Sequence, residues 1–142
     1  MRRGHTIAEL CAVLLLLTLG LSFLEPTARR LRDRLAVVAA REAVASLVAE
    51  ARIDAVQRGG AVVTLEAEPW RASLEVAGLT PRHVALERDL GVRVGLSRSR
   101  SEAKLRYDAL GLGQVASETI TFLRGGAEAA LVVSAYGRVR RR

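Results

Sequence analysis

The N-terminal stretch MRRGHTIAELCAVLLLLTLGLSFLEP carries one acidic residue inside a run of apolar residues. This residue is Glu9, and no charged residue follows it from Leu10 to Leu24. A carboxylate in the hydrocarbon of a membrane costs roughly 2.5–3.5 kcal/mol on insertion scales, so such residues usually have a function. The chemistry open to Glu9 is charge neutralisation, because a nearby cation stabilises a carboxylate in apolar surroundings.

Residues suited to catalysis or metal binding are sparse elsewhere. The two histidines, His5 and His83, lie in unrelated segments, and neither has a second ligand at the spacing of a metal site. We interpret His83 as a solvated residue at a strand edge. The single cysteine, Cys11, permits no intramolecular disulfide and no cysteine zinc site. Because no hydrolase or transferase constellation is found, we expect a protein that is not an enzyme and has no cofactor or metal.

One cluster of positive charge lies at the C-terminus, which ends in GRVRRR. In a strand, Arg138 and Arg140 fall on one face and Val139 on the other. Such a face can contact successive phosphates of DNA, whereas arginines on an edge strand can also serve only to prevent aggregation. Both interpretations remain open for the terminal arginines, which are Arg138, Arg140, Arg141 and Arg142.

The composition fits a membrane anchor joined to one small domain. The chain has 142 residues, and half of them are hydrophobic, so it is not disordered by composition. Its formal charge is +7 at pH 7, and Lys104 is the only lysine. We attribute most of this arginine bias to the base composition of the source genome, with phosphate or carboxylate recognition as the alternative at individual positions.

The apolar run is long enough for a transmembrane helix, since about eighteen helical residues span roughly 27 Å of a ~30 Å hydrocarbon core. Three interpretations compete: a signal peptide cleaved after Ser22, an uncleaved signal anchor, or a short leader removed after Gly4. Only the third gives Glu9 a function. It makes His5 the N-terminus, about 6 Å along the helix from Glu9, so the carboxylate could neutralise the terminal amine of a staggered neighbour.

The same residues resemble a known motif. GHTIAEL resembles the prepilin cleavage and methylation motif of type IV pilins and type II secretion pseudopilins, with His5 in place of the usual phenylalanine. The residues that fit are Gly4, Thr6, Ile7, Glu9 and Leu10. The resemblance implies cleavage between Gly4 and His5, N-methylation of His5, and a proline that bends the first helix at Pro26. The arginine count of the flanks favours the opposite orientation, and the motif favours an N-terminus on the cytoplasmic side.

The segment after Pro26 predicts an amphipathic stalk helix over 26–58 that ends at Gly59 and Gly60. Its apolar stripe consists of Val37, Ala40, Val44, Leu47, Val48, Ala51 and Ala55. Beyond this helix the hydrophobic period changes to two, which predicts a mainly antiparallel β structure. The predicted strands are AVVTLEA, the runs around 70–76, 92–97 and 104–108, ETITFLR and AALVVSAYGRV, and GLGQ is interpreted as a turn.

Three of these segments carry a second resemblance. ARIDAVQRGGAVVTL, YDALGLGQVASETITFL and ALVVSAYGRVR resemble the GspH/FimT pseudopilin family. The resemblance implies an α+β pilin-like fold: leader 1–4, transmembrane helix 5–25, stalk helix 26–58 and periplasmic β head 61–142. It implies a minor pseudopilin of type II secretion, processed by prepilin peptidase in the bacterial inner membrane and assembled with other pseudopilins. Some FimT-like minor pilins bind DNA through a glycine–arginine–any–arginine end, so a DNA-uptake pilin is the alternative.

Overall fold

The computed structural model describes residues 7–114 and 117–142, which form an α+β chain with one long helix and two antiparallel sheets. In order, the elements are α1 (Ile7–Arg58), β1 (Gly60–Ala67), β2 (Trp70–Val76), β3 (Arg82–Ala85), α2 (Leu86–Leu90), β4 (Arg93–Leu96), a 3-10 turn (Ser97–Ser99), β5 (Glu102–Asp108), β6 (Glu118–Arg124), β7 (Ala127–Val133) and β8 (Val139–Arg141). The chain divides into two compact units, Met1–Arg32 and Asp33–Arg142.

The first unit contains the apolar part of α1, whose large side chains are exposed. An 18-residue window of this helix has a mean hydropathy of 2.4, so α1 is long and apolar enough to cross a membrane. The polar side chains in this part bond to their own helix: the Thr18 hydroxyl donates to the Leu15 carbonyl at 2.9 Å, and the Ser22 hydroxyl donates to the Thr18 carbonyl at 2.8 Å. Such bonds satisfy hydroxyl groups without water.

In the second unit, α1 contributes one face to the hydrophobic core. Its buried residues recur every three or four positions, as an amphipathic helix requires. They are Ala36, Val37, Ala40, Val44, Ala45, Leu47, Val48, Ala51 and Ala55. This includes every residue of the stripe predicted from the sequence.

The strands form two four-stranded sheets, here called sheet A and sheet B. Sheet A has the order β3-β2-β1-β5 and sheet B the order β4-β6-β7-β8, with every pair antiparallel. In each sheet the residues of one face are buried and those of the other are more exposed, as in the alternation of Ala103, Leu105 and Tyr107 with their neighbours in β5. The antiparallel β structure expected from the sequence is therefore confirmed.

One predicted strand is wrong. AALVVSAYGRV was predicted as a single run, but the chain reverses between Val133 and Val139 and returns as β8 beside β7. Gly137 permits this turn, with φ of +74°, and a Cβ atom there would lie 2.6 Å from Cε1 of Tyr107. A glycine is thus required at this turn for two reasons: its backbone has positive φ, and the ring of Tyr107 leaves no room for a Cβ atom. The short elements β3 and α2 were not predicted.

Candidate functional site

The predicted processing and assembly residues lie at the start of α1. Gly4, His5 and Thr6 are outside the described residues. Glu9 lies in the first turn of α1, is exposed, and is the acidic residue of that turn. Pro26 lies inside α1, and the helix continues through it to Arg58.

The surroundings of Glu9 along the helix are apolar. Leu10, Val13 and Leu14 are each about half exposed or more, and the exposed leucines continue as far as Leu21. A helix surface with so many apolar side chains is suited to contact with lipid or with other helices. In surroundings of that kind the carboxylate of Glu9 would attract a cation strongly, because the local dielectric constant would be low.

The C-terminal arginines are divided between two faces of sheet B. Val139 and Arg141 pair with Val133 and Leu131, whose side chains are buried, so these two residues lie on the core side. Arg140 pairs with the partly exposed Val132 on the outer side.

The alternation extends at both ends of β8, because the N–H of Ser134 donates to the carbonyl of Arg138 at 2.8 Å and Arg142 exchanges two 2.9 Å bonds with Ala130. Arg138, Arg140 and Arg142 therefore share the outer face, as the sequence predicted for the first two.

Arg141 is held by α1. Its Nε donates to both carboxylate oxygens of Glu42 at 3.0 Å, and Arg41 donates to the same carboxylate and to the carbonyl of Arg142 at 3.3 Å. The hydrogen bond from Arg141 lowers the pKa of Glu42, and Arg41 contributes further. No local pattern in the chain signals this contact, since ninety-nine positions separate Glu42 from Arg141.

The outer face of sheet B beside these arginines is mixed in character. Gly95, Thr121 and Ala130 are small, whereas Leu123 and the exposed Glu128 lie on the same face between Arg93 and β8. The acidic side chain of Glu128 reduces the positive charge of this face. Arg93 is a candidate contact that the sequence analysis missed, because only the sheet register places it on the same face.

The outer face of sheet A differs in its charges. Arg71 donates to Glu66 at 2.7 Å and Lys104 lies 3.0 Å from Glu102, so two pairs of opposite charge lie on that face. His83 is exposed on the edge strand β3, which confirms its interpretation as a strand-edge residue. Among the described residues, no group of three or more histidine, cysteine, aspartate or glutamate residues could hold a metal ion.

Comparison of the chain with protein-family models, with curated proteins and with solved structures finds no match. The functional interpretation therefore depends on the residues of the chain itself. Two features of the described residues bear on it: the acidic residue at the start of an apolar helix, and the arginines of one strand edge.

Proposed function

We propose that the protein is a minor pseudopilin of a type II secretion system, of the GspH/FimT kind. In this proposal it is inserted in the bacterial inner membrane with its head in the periplasm, and prepilin peptidase cleaves it between Gly4 and His5. The new N-terminus is methylated. The processed chain then joins other pseudopilins in a short periplasmic filament that supports protein secretion.

The observation that carries the proposal is Glu9 in the first turn of the apolar helix. After cleavage, the amino group of His5 would lie one helical turn away along α1. A neighbouring subunit shifted along the helix axis could place its amine beside this carboxylate, and the pair would cost far less in apolar surroundings than either charge alone. Subunits in a different register would lack this pair of opposite charges, so Glu9 would favour one register.

The rest of α1 supports the same proposal. The apolar segment is long enough to anchor the chain in a membrane, and the helix continues through Pro26 into the unit that contains both sheets. The proposal assigns assembly roles to two further residues because of the resemblance alone: Thr6 belongs to GHTIAEL, and Pro26 matches the proline that bends the first helix. The protein is then a substrate of an enzyme, and it acts by binding other subunits.

Two measurements test the proposal. The first is the N-terminus of the mature protein in cells that contain prepilin peptidase: His5 is expected, whereas Phe23 or an intact leader contradicts it. The second is filament incorporation of Glu9→Gln, which keeps the shape of the side chain but removes its charge. We expect Glu9→Gln to remain in the membrane and to be lost from filaments, and normal incorporation would contradict the role of Glu9.

A second candidate function is DNA binding by a type IV minor pilin. The observation that favours it is the common outer face of Arg138, Arg140 and Arg142. Arginines at alternate positions along an edge could contact successive phosphates, and this contact would not depend on sequence. Arg141 would take no direct part, because Glu42 holds it on the other side.

Salt-dependent binding of duplex DNA tests this second function. We expect Arg138→Gln with Arg140→Gln to weaken binding and to reduce the slope of log affinity against log salt by about 0.9 for each phosphate that is no longer neutralised. Arg88→Gln is the matched control, since Arg88 is exposed on α2. If the wild-type protein shows no salt-dependent affinity for DNA, the second function is excluded.

A further inference from the structure

The stretch of α1 that follows its apolar segment is rich in arginine. Residues 25–34 read EPTARRLRDR and contain four arginines and two acidic residues. They belong to the same helix, which continues to Arg58. When a helix crosses a membrane, the residues just beyond its apolar segment lie beside the lipid head groups, where anionic lipids attract basic residues.

Both acidic residues of this stretch are already bonded within the chain. The carboxylate of Glu25 is bonded to Arg29, one helical turn further along. The carboxylate of Asp33 accepts a hydrogen bond from Arg124 at 3.0 Å. Neither acid is therefore available to neutralise the other arginines of the stretch.

Two arginines keep their charge available to a ligand. Arg30 and Arg32 are exposed, and neither forms an ion pair among the side chains that the structure describes. A guanidinium group stays charged at physiological pH, and its planar fork of N–H donors matches two oxygens of a phosphate group. These two side chains are therefore suited to a ligand that carries phosphate.

The distance along the helix brings these arginines to the membrane surface. The apolar run ends at Leu24, and Arg29, Arg30 and Arg32 follow it by roughly 7.5–12 Å along the axis. The head groups add about 5–7 Å on each side of the ~30 Å hydrocarbon core. Helical side chains lean towards the N-terminus, which at this end of the segment is the direction of the membrane. Long arginine side chains can therefore reach back to the head groups.

The distribution of the arginines around the helix favours lipid as the ligand. At 100° per residue, Arg30 lies about 160° from Arg32 around the axis, so the two side chains leave the helix on nearly opposite sides. A protein surface or a nucleic acid that contacts one side would miss the other. Head groups surround a membrane-spanning helix on every side, so each arginine can contact a phosphate group.

We propose that Arg30 and Arg32, assisted by Arg29, bind the phosphate groups of anionic phospholipids at the membrane surface. A zwitterionic lipid carries a cation beside its phosphate, and this cation repels a guanidinium group, whereas an anionic head group has no such cation. The contacts anchor the helix at one depth in the bilayer. The inference rests on the membrane insertion of α1 in the proposed function, and it needs neither cleavage after Gly4 nor filament assembly.

Lipid competition on the full chain tests the proposal. The purified protein in a neutral detergent is mixed with equal amounts of phosphatidylglycerol and phosphatidylcholine that have the same acyl chains, and native mass spectrometry counts the bound lipids. We expect bound phosphatidylglycerol to exceed phosphatidylcholine at least about tenfold at low salt, since each arginine near an anionic surface contributes roughly fivefold. The excess should fall as the salt concentration rises, because salt screens exposed charges.

A pair of double variants locates the effect. Arg30→Gln with Arg32→Gln should bring the ratio of the two lipids close to one, because only the paired Arg29 remains. Arg88→Gln with Arg93→Gln is the matched control, since it removes the same charge from exposed positions of the second unit. It should keep the ratio of the wild-type protein. Circular dichroism checks that both variants are folded.

Inorganic phosphate distinguishes a lipid site from a site for free phosphate. Phosphate and chloride are added to separate samples at the same ionic strength. We expect both salts to reduce the bound phosphatidylglycerol equally, because they act only by screening. If phosphate displaces the lipid and chloride does not, the arginines bind free phosphate and the proposal is wrong.

The remaining outcomes are equally decisive. Equal binding of the two lipids by the wild-type protein contradicts the proposal, as does an unchanged ratio in the Arg30 and Arg32 variant or an equal loss in the control. The same mass spectra give the mature N-terminus. A start at His5 without lipid preference overturns this inference alone. An intact leader with lipid preference overturns the proposed function and supports this inference, and a start at Phe23 overturns both because the apolar helix is lost.

Discussion

In the second unit, α1 carries apolar residues on a buried side and on an open side, and the open side also carries Glu42. Val48 on one face is fully buried in the core, whereas Val56 on the other is 58% exposed. The same residue type on one helix therefore stabilises the core at one position and lies largely in solvent at the other. Hydrophobicity alone does not distinguish the two roles, and only the position of the sheets does.

The strongest test of this comparison is a matched pair of truncations. We expect Val48→Ala to lower the free energy of unfolding by roughly 2 kcal/mol, through lost burial and the cavity left behind. Val56→Ala should change it by less than about 0.5 kcal/mol, because the side chain is already largely in contact with solvent. Thermal unfolding of the full chain in detergent, followed by circular dichroism, measures both. Equal losses would show that the open side of the helix also contributes to the core.

A smaller effect is expected at the ion pair that attaches the start of the buried face to sheet B. Arg124 Nε donates to Asp33 at 3.0 Å, with both side chains about a quarter to a third exposed, and Arg124 also donates to the carbonyl of Leu90. Asp33→Ala should cost about 1–2 kcal/mol, because it leaves a partly buried guanidinium without its carboxylate.

The control for Asp33→Ala is Asp89→Ala, which removes the carboxylate from an ion pair with Arg88 in which both side chains are exposed. It should produce no measurable change, because exposed ion pairs contribute little. If both variants lose the same stability in the unfolding measurement, the Asp33 contact has no special role in holding the buried face.

On the core side, the buried hydroxyl of Tyr107 predicts that stability depends on pH in the alkaline range. Its hydroxyl is buried and has no hydrogen-bond partner among the described residues, and burial raises its pKa above 10.0, partly opposed by the charge of Arg52. Below pH 10.0 both folded and unfolded chains keep the proton. Above it the unfolded chain ionises first, so stability falls as the pH rises towards the folded pKa.

Tyr107→Phe should remove most of this alkaline loss. At pH 7 we expect it to leave stability unchanged or to raise it by less than about 1 kcal/mol, because the hydroxyl that it removes is buried and unsatisfied. Unfolding by urea between pH 8 and pH 11, roughly the range in which tyrosine titrates, measures both effects. An unchanged alkaline loss in the variant would assign the pH dependence to another group.

The smallest effect is expected at Glu42, which belongs to the open side of α1. Its pKa is lowered from 4.5 by Arg141 and Arg41, so its contribution is present at neutral pH and is lost as the pH falls below 4.5 through the folded pKa. Glu42→Gln should flatten the acid limb of the stability profile, and the exposed Glu128→Gln should not. If the limb keeps its slope in Glu42→Gln, the contact with β8 does not contribute to stability.

The sequence predicted those parts of the fold that depend on short-range pattern. The stripe from Val37 to Ala55 and the strand ETITFLR follow from periods of 3.6 and 2, which are visible in a short window. The reversal at Gly137 was missed because AALVVSAYGRV is apolar enough to resemble one strand, and the ring of Tyr107 that requires a glycine is thirty positions away. Local pattern carries no information about such contacts.

The candidate site, too, was predicted only where it depends on local sequence pattern. The alternation that places Arg138 and Arg140 together is local, and the structure agrees with it. The contact of Arg141 with Glu42 and the position of Arg93 on the same outer face depend on the pairing of distant segments. Leu110 directly precedes GLGQ, the segment interpreted as a turn, and only the position of the loop against α1 shows that Leu110 is 76% exposed beside Val56.

The close approach at Gly137 also bears on how the terminal GRVR is interpreted. A Cβ atom at Gly113 would lie 2.8 Å from the nitrogen of Gly137, so two glycines meet backbone to backbone beside the ring of Tyr107. The glycine of GRVR, Gly137, is therefore required by steric fit, whether or not any ligand is bound. Its arginines can be exchanged without disturbing the turn, so this tail can gain or lose affinity for a polyanion while the domain keeps its shape.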